Sequence, residues 1–456
     1  MKKVFIFSMA IVLISNFIYS QEDITAKKNI HAFNPPKMAV KVDAGEATFP
    51  DGSKVKFNSC DLSFDLPEIR EHSLTEKVPI DYGEYLESWE WAVKDVLTLK
   101  PPVDTLLLGG LYNGVIPESV SVKSVDGSKT YKVNEDFKYN ESWGRITAIK
   151  GRLGKKGKDM IKVTYKYITQ RIDLIQVSKS GKVSVKKGTP AVVCPSLPEA
   201  DSDCVALAGI YIYTANHPKE YIITDEDIYP INPAKPVMPI NKEAIKNTLE
   251  KLKNKRTISI GFVGDSITLG AEAGKWWEDS SLTYRGRVID GISKRFGVVV
   301  KEIEGYKGGI GTKEGADYLE KEVLPKKPDL IIIALGVNDA SGSIGSTPRI
   351  TPGAFKNNML SMVKKAKEGG ADVMLVTPFQ PSPFLKNGVA KHIPKFCDKL
   401  KEIGKEENVA VADVYTELIN LATHGIPPFS QLHNWTNHPG AFGMKVYSDV
   451  ILRFFE

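Results

Sequence analysis

The stretch Ile258-Ser259-Ile260-Gly261-Phe262-Val263-Gly264-Asp265-Ser266-Ile267 begins as an apolar run and ends in turn-forming residues. The run reads as a buried strand, which puts Ser266 where a parallel strand ends and a helix begins. Open α/β sheets bind ligands at the carboxyl ends of their strands, and a serine held there can act as a nucleophile. Gly, Asp and Ser are also ordinary turn residues, so the segment gains its weight from its companions downstream.

From about Thr257 onward, apolar runs alternate with amphipathic stretches. Strands are expected at 258–263, 298–303, 329–335, 373–377 and 409–414, and helices at 285–295, 354–368, 394–406 and 441–455. Val/Ile/Leu strands separated by helices predict a parallel sheet covered on both faces. Gly369-Gly370 is a natural helix stop before the fourth strand. The expectation for residues 257–456 is an α/β domain, a three-layer, doubly wound parallel sheet.

Ser266 follows the first strand, Gly305-Tyr306-Lys307-Gly308-Gly309-Ile310-Gly311-Thr312 the second and Gly336-Val337-Asn338-Asp339 the third. Asn434-Trp435-Thr436-Asn437-His438-Pro439 stands near the C-terminus. All four segments should lie along one edge of the sheet. These residue types suit acyl transfer at a serine. The hydroxyl needs a base, for which His438 is the candidate. The oxyanion of a tetrahedral intermediate needs pre-aimed donors, and the Ser266 N–H, the Gly308 N–H and the Asn338 amide would make three.

With these blocks in place, the second half resembles the SGNH, or GDSL-type, hydrolases, a family named for its Ser, Gly, Asn and His. The likeness rests on GDS at 264–266, the glycine block at 305–312, GxND at 336–339 and the His-Pro at 438–439, in that order. It implies a flavodoxin-like hydrolase fold and a serine esterase activity. It also implies Ser266 as nucleophile, Gly308 and Asn338 as oxyanion donors and His438 as base. One position departs from the pattern. The family usually places an Asp three residues before the His, but that position holds Trp435, and no acidic residue occurs between His424 and Met444. Three acceptors for the imidazole Nδ1–H stay open. A backbone carbonyl of Trp435 or Asn434 would give a Ser-His dyad, the preferred reading; the Asn434 amide oxygen could orient the ring; or an acid could reach in from a distant loop.

Other residues have plainer readings. Asp265 and Asp339 are expected to bond backbone amides in tight turns. His433 is a rival base, but Pro439-Gly440 favours His438; His392 and His424 read as surface or helix-flank residues. Trp276-Trp277 is as readily a substrate-stacking wall as a pair of core aromatics. The sequence carries no zinc-type ligand cluster and no phosphate-cradling loop ending in Lys-Ser/Thr, so no metal and no cofactor is expected.

Met1-Lys2-Lys3, an apolar stretch over 4–19 and the polar Gln21-Glu22-Asp23 read as a signal peptide over residues 1–20. The expected location is therefore periplasmic or extracellular, with no membrane attachment after signal removal. Export permits disulfides. Of the four cysteines, Cys194 and Cys204 bracket a loop-like stretch and form the preferred pair, while Cys397 reads as a buried thiol. A net charge of +6 with 25% charged residues is mild. The Lys clusters at 151–158 and 182–187 read as solvated loops and protected strand edges, with no nucleic-acid partner implied. The oligomeric state stays open.

Residues 21–235 have a different texture. Short alternating segments at 119–125, 130–133, 161–168, 171–177 and 182–186, with turns at Asp126-Gly127 and Ser180-Gly181, predict a β-rich, sandwich-like domain, possible partner of carbohydrate. A helix is allowed over 85–99; the Pro-rich 229–239 reads as a linker, and a lead-in helix over 242–253 completes a connecting segment at 236–256. The leading expectation is an exported serine esterase that removes acetyl or other short acyl groups, with a small-molecule or polysaccharide ester as substrate. A lipase or thioesterase for longer chains would need an apolar groove that no loop near Ser266 supplies. A glycan-binding protein with a decayed site is motivated only by the absent Asp.

Overall fold

The computed structural model describes residues 29–79, 97–99, 114–141, 144–213, 221–342, 347–383, 385 and 388–456. The expected signal peptide and most of the helix allowed over 85–99 lie outside the described residues. In the C-terminal region five strands form one sheet: β1 (Ile258–Gly264), β2 (Val300–Tyr306), β3 (Leu330–Ala334), β4 (Asp372–Val376) and β5 (Ala410–Ala412). Their order is β2-β1-β3-β4-β5, all parallel, which is the flavodoxin-like arrangement. The interior strands β3 and β4 are buried at every residue, whereas edge strand β2 exposes Lys301 and Glu304. Strand β2 starts two residues and ends three residues beyond the expected 298–303.

The sheet is wrapped by α1 (Ser266–Leu269), α2 (Tyr284–Phe296), α3 (Thr312–Tyr318), α4 (Val337–Ala340), α5 (Pro352–Glu368), α6 (Val389–Glu406) and α7 (Gly440–Leu452). Local chemistry sets their ends. Thr283 caps α2 by accepting the Gly286 N–H, and Thr351 caps α5 ahead of Pro352, a residue suited to a first helical position. Helix α6 starts five residues before the expected 394 and runs through Pro394. Proline leaves the carbonyl four residues back without its helical partner, and here the Gln380 side-chain amide donates to that oxygen, Ala390 O, at 3.2 Å.

Strand register aligns the loops that matter. Val263 stands opposite Gly305, and Gly264 stands opposite both Tyr306 and Ala334, so β1, β2 and β3 end together. Gly264 is required at that end: a Cβ there would lie 1.9 Å from Thr268 Oγ1, blocking the turn of α1 back over the strand.

The N-terminal region is rich in antiparallel strands. Met160–Ile168 pairs with Ile69–Lys77 and Ser121–Ser124, and Arg171–Ser178 pairs with Val183–Lys186 and Cys204–Ile212. A small core of Val40, Val42, Ile175, Val177 and Ile210 belongs to this region alone, while a larger one runs continuously from its Tyr165, Tyr211 and Tyr213 into the parallel sheet. The buried Arg171–Asp173 pair, 2.8 Å apart, is matched by further bonds. Arg171 donates to the Leu66 and Asp65 carbonyls, and Asp173 accepts the Gly188 N–H.

Two expectations are corrected. The Pro-rich 229–239 stretch is not a free linker throughout, because Ile228–Pro230 is a strand paired with Cys204–Ile212. Farther along, the Asn232 N–H donates to Thr423 O, and Asn420 exchanges two bonds with Lys235. The Cys194–Cys204 bridge is absent, and all four cysteines are free thiols. Cys194 sits in a loop where its thiol reaches Gln431 O, whereas Cys204 opens a strand and faces Asp203. Closeness in sequence does not bring two thiols into bridging geometry. Cys397 lies buried on α6 as expected.

Candidate active site

Asp265 caps the short helix α1: its carboxylate accepts the Ile267 N–H at 2.9 Å, and Gly270 ends the helix at φ 106°. Ser266 is thereby fixed at the first turn of α1, half-buried at the sheet edge. The loop after β2 brings Gly308 alongside, where a Cβ would lie 3.9 Å from the Ser266 Cβ. Asn338, on α4 after β3, donates from Nδ2 to Ile310 O at 2.9 Å, which ties it to the same glycine loop. From the far end of the chain, His438 Nε2 comes to 3.1 Å from Ser266 Oγ. The structure thus gathers Ser266, Gly308, Asn338 and His438 at one strand edge.

The two aspartates are structural, as expected. Asp339 accepts the Thr312 N–H and hydroxyl and so caps α3, and burial raises its carboxyl. Burial likewise pushes Asp265 up to about 7, with the nearby Asp339 charge adding to the rise. Burial also pushes the His438 imidazole down to about 4, with His433 contributing in the same direction.

The surroundings of His438 differ from the preferred sequence reading. The group facing Nδ1 is the Asn434 amide nitrogen at 3.1 Å, where a backbone carbonyl was expected. Asn434 Oδ1 is occupied by the backbone N–H groups of Thr436, Asn437 and His438, so the nitrogen end is the one turned to the ring. Trp435, at the family's Asp position, points away altogether. Its indole N–H donates to Val192 O at 2.8 Å, and its ring meets Tyr213 edge to face. His433 is buried with its N–H bonded to His438 O, so it braces the loop from within. Trp276 packs over Gly270 at the end of α1 and meets Trp277 edge to face at 5.5 Å; Trp277 is 52% exposed.

The Asn434 orientation was missed from sequence, as was the anchoring of Trp435. The first depends on where the backbone N–H groups of Thr436, Asn437 and His438 point, which no residue type or spacing gives. The second depends on a partner 243 residues away.

The sequence profile of the GDSL-like lipase/acylhydrolase family matches residues 262–446. Among solved structures, the chain is similar to a lipase/acylhydrolase from Enterococcus faecalis, with 26% identity over 43% of this chain and 94% of that one and a TM-score of 0.36. It is also similar to an acetylxylan esterase from Geobacillus stearothermophilus, with 19% identity over 43% of this chain and 93% of that one and a TM-score of 0.36. An α/β hydrolase from the metagenome of Lake Arreo, Spain, shares 16% identity over 43% of this chain and 94% of that one, with a TM-score of 0.37. Comparison with curated proteins gives no match. Residues 262–446, built on a parallel sheet with the family's four blocks at its edge, form a GDSL-like lipase/acylhydrolase domain, the domain of a carboxylic ester hydrolase.

Proposed function

We propose that the protein is an exported serine esterase that removes acetyl or other short acyl groups from a carbohydrate through an acyl-enzyme. The observation that carries the mechanism is the 3.1 Å approach of His438 Nε2 to Ser266 Oγ across 172 residues of sequence. In this reading His438 takes the hydroxyl proton as Ser266 Oγ attacks the ester carbonyl. The Ser266 and Gly308 N–H groups and the Asn338 amide stabilise the oxyanion. His438 then protonates the departing alkoxide, and a water, activated by the same base, releases the acid.

Support for the substrate class is contextual. An apolar stretch over 4–19 behind two lysines favours export, and a β-rich region accompanies the hydrolase domain. The exposed Trp277, braced by Trp276 near the end of α1, offers a stacking face for a sugar ring. The test is a panel of acetyl, butyryl and longer esters together with acetylated polysaccharides, assayed with the purified protein. Fast acetyl release from a polysaccharide is the expected result, and a preference for long acyl chains would overturn the substrate class.

A further inference from the structure

Asn434 decides where the His438 imidazole carries its proton. Its Oδ1 accepts three backbone N–H groups, those of Thr436 at 3.1 Å, Asn437 at 3.0 Å and His438 at 3.1 Å. Three donors on one atom fix the amide, because turning it over would set an NH2 group against all of them. Of the two hydrogens on Nδ2, one reaches Asn437 Oδ1 at 3.0 Å and the other faces His438 Nδ1 at 3.1 Å. An N–H aimed at Nδ1 requires a lone pair there. The ring proton then lies on Nε2, pointing at Ser266 Oγ. A nitrogen that already holds a proton cannot accept one from the serine.

We propose that Asn434 is a positioning residue that holds resting His438 in the tautomer protonated on Nε2, and that a carboxylate in its place releases the restraint. The inference rests on the reading of Ser266 and His438 as nucleophile and base. Turnover requires the N–H bond at Nε2 to break and one at Nδ1 to form, by exchange with solvent, before the Nε2 lone pair can take the hydroxyl proton. In that tautomer two N–H groups confront each other unless Asn434 swings away and abandons its three backbone donors. The imidazolium formed as the serine attacks meets the same opposition. Exchange of the amide for a carboxylate keeps one oxygen on the three N–H groups and turns the other to Nδ1–H, the relation an acid bears to histidine in a triad. Asn437 accommodates it by turning its own amide over, with the Thr436 hydroxyl, now donating to Asn437 Oδ1 at 3.1 Å, reversing its role.

Nitrogen-15 NMR of the full-length, histidine-labelled protein reads the tautomer without any turnover, the His438→Gln variant assigning the signal. The expected wild-type spectrum at neutral pH shows Nε2 protonated and Nδ1 bare; a protonated Nδ1 overturns the proposal. In the Asn434→Asp variant the proton is expected on Nδ1, kcat on a short-chain ester should rise roughly tenfold or more, and the acid limb of the pH profile should move upward from about 4. A folded Asn434→Asp variant with wild-type tautomer and unchanged or lower kcat overturns it as well. If instead Ser266→Ala has no effect on hydrolysis, it is the esterase reading that fails, while the tautomer result stands.

Discussion

Trp435 Nε1 donates to the Val192 carbonyl oxygen at 2.8 Å, and its ring meets Tyr213 edge to face with 4.7 Å between centroids. The side chain at the family's acid position is therefore an anchor into the N-terminal region. At φ 64° its backbone lies in the left-handed region, a strain that buried contacts must hold. Gln431 adds a second tie, donating to Pro195 O at 2.9 Å. The loop that presents His438 takes its position from both halves of the chain.

Trp435→Ala is accordingly expected to destabilise the protein by about 3–5 kcal/mol, the usual cost of emptying a buried indole site. It should also lower kcat, because the loop beside His438 loses its anchor. Trp435→Phe keeps a ring against Tyr213 and leaves the Val192 oxygen its second donor, Gln170 Nε2 at 3.2 Å, so the smaller loss of one hydrogen bond, about 1 kcal/mol, is expected. Thermal melts and ester kinetics on both variants check this; an Ala variant that melts with the wild type would remove the anchor role.

Ser266→Ala should abolish ester hydrolysis and leave the melting curve unchanged. The hydroxyl sits half-buried at a strand end, so its removal takes away chemistry and almost no packing. Substantial activity in a correctly folded Ala variant would reject Ser266 as nucleophile.

Much of the hydrolase fold was legible because buried parallel strands are nearly continuous apolar runs, as in Leu330–Ala334. The convergence of Ser266, Gly308 and Asn338 was legible for the same reason, since each follows one of three adjacent strands that end in register. Where the signal was weaker, the boundaries moved. Edge strand β2 carries polar residues on its exposed side, and the start of α6 was hidden by Pro394, whose broken bond is repaired by Gln380 from outside the helix. The orientation of the Asn434 amide was beyond reach of composition or spacing, because it depends on where three successive N–H groups of the turn point.

Asn338→Ala should slow turnover by roughly 100-fold or more, as loss of one oxyanion donor does in other acyl-transfer sites. The effect belongs mainly in kcat, since the amide would meet the oxyanion more strongly than the ground-state carbonyl. The Ile310 carbonyl, which now accepts from Asn338 at 2.9 Å, would lose that partner, so a modest fall in melting temperature should accompany it. A change confined to KM would make Asn338 a substrate-holding residue.

Because burial holds His438 down near 4, the base should stay neutral well below the range where an exposed histidine protonates. The expected profile of kcat/KM is flat from pH 7 to about pH 5, with its acid limb near 4. The same shift acts on stability with a definite sign. Between the unfolded value of 6.5 and the folded value of about 4 the unfolded chain binds the extra proton, so stability falls as pH drops through that window. His438→Gln should lose less melting temperature than the wild type between pH 7 and pH 4.5. Equal losses in the two proteins would show that His438 does not titrate there.

Gly308 separates steric room in the free protein from room for a reacting ester. Its backbone needs no left-handed φ, and an added Cβ would find Ser266 Cβ and Leu269 Cδ2 no closer than 3.9 Å. Gly308→Ala should therefore fold and melt like the wild type. The new methyl would nonetheless face Ser266, in the space a carbonyl must enter to meet the Gly308 N–H. Turnover should fall by roughly tenfold or more, in line with the displacement of an ester from one oxyanion donor. Gly308→Pro removes the N–H itself and should cost as much again. Wild-type kinetics in both variants would mean that another amide of the 305–312 loop, not Gly308, faces the oxyanion.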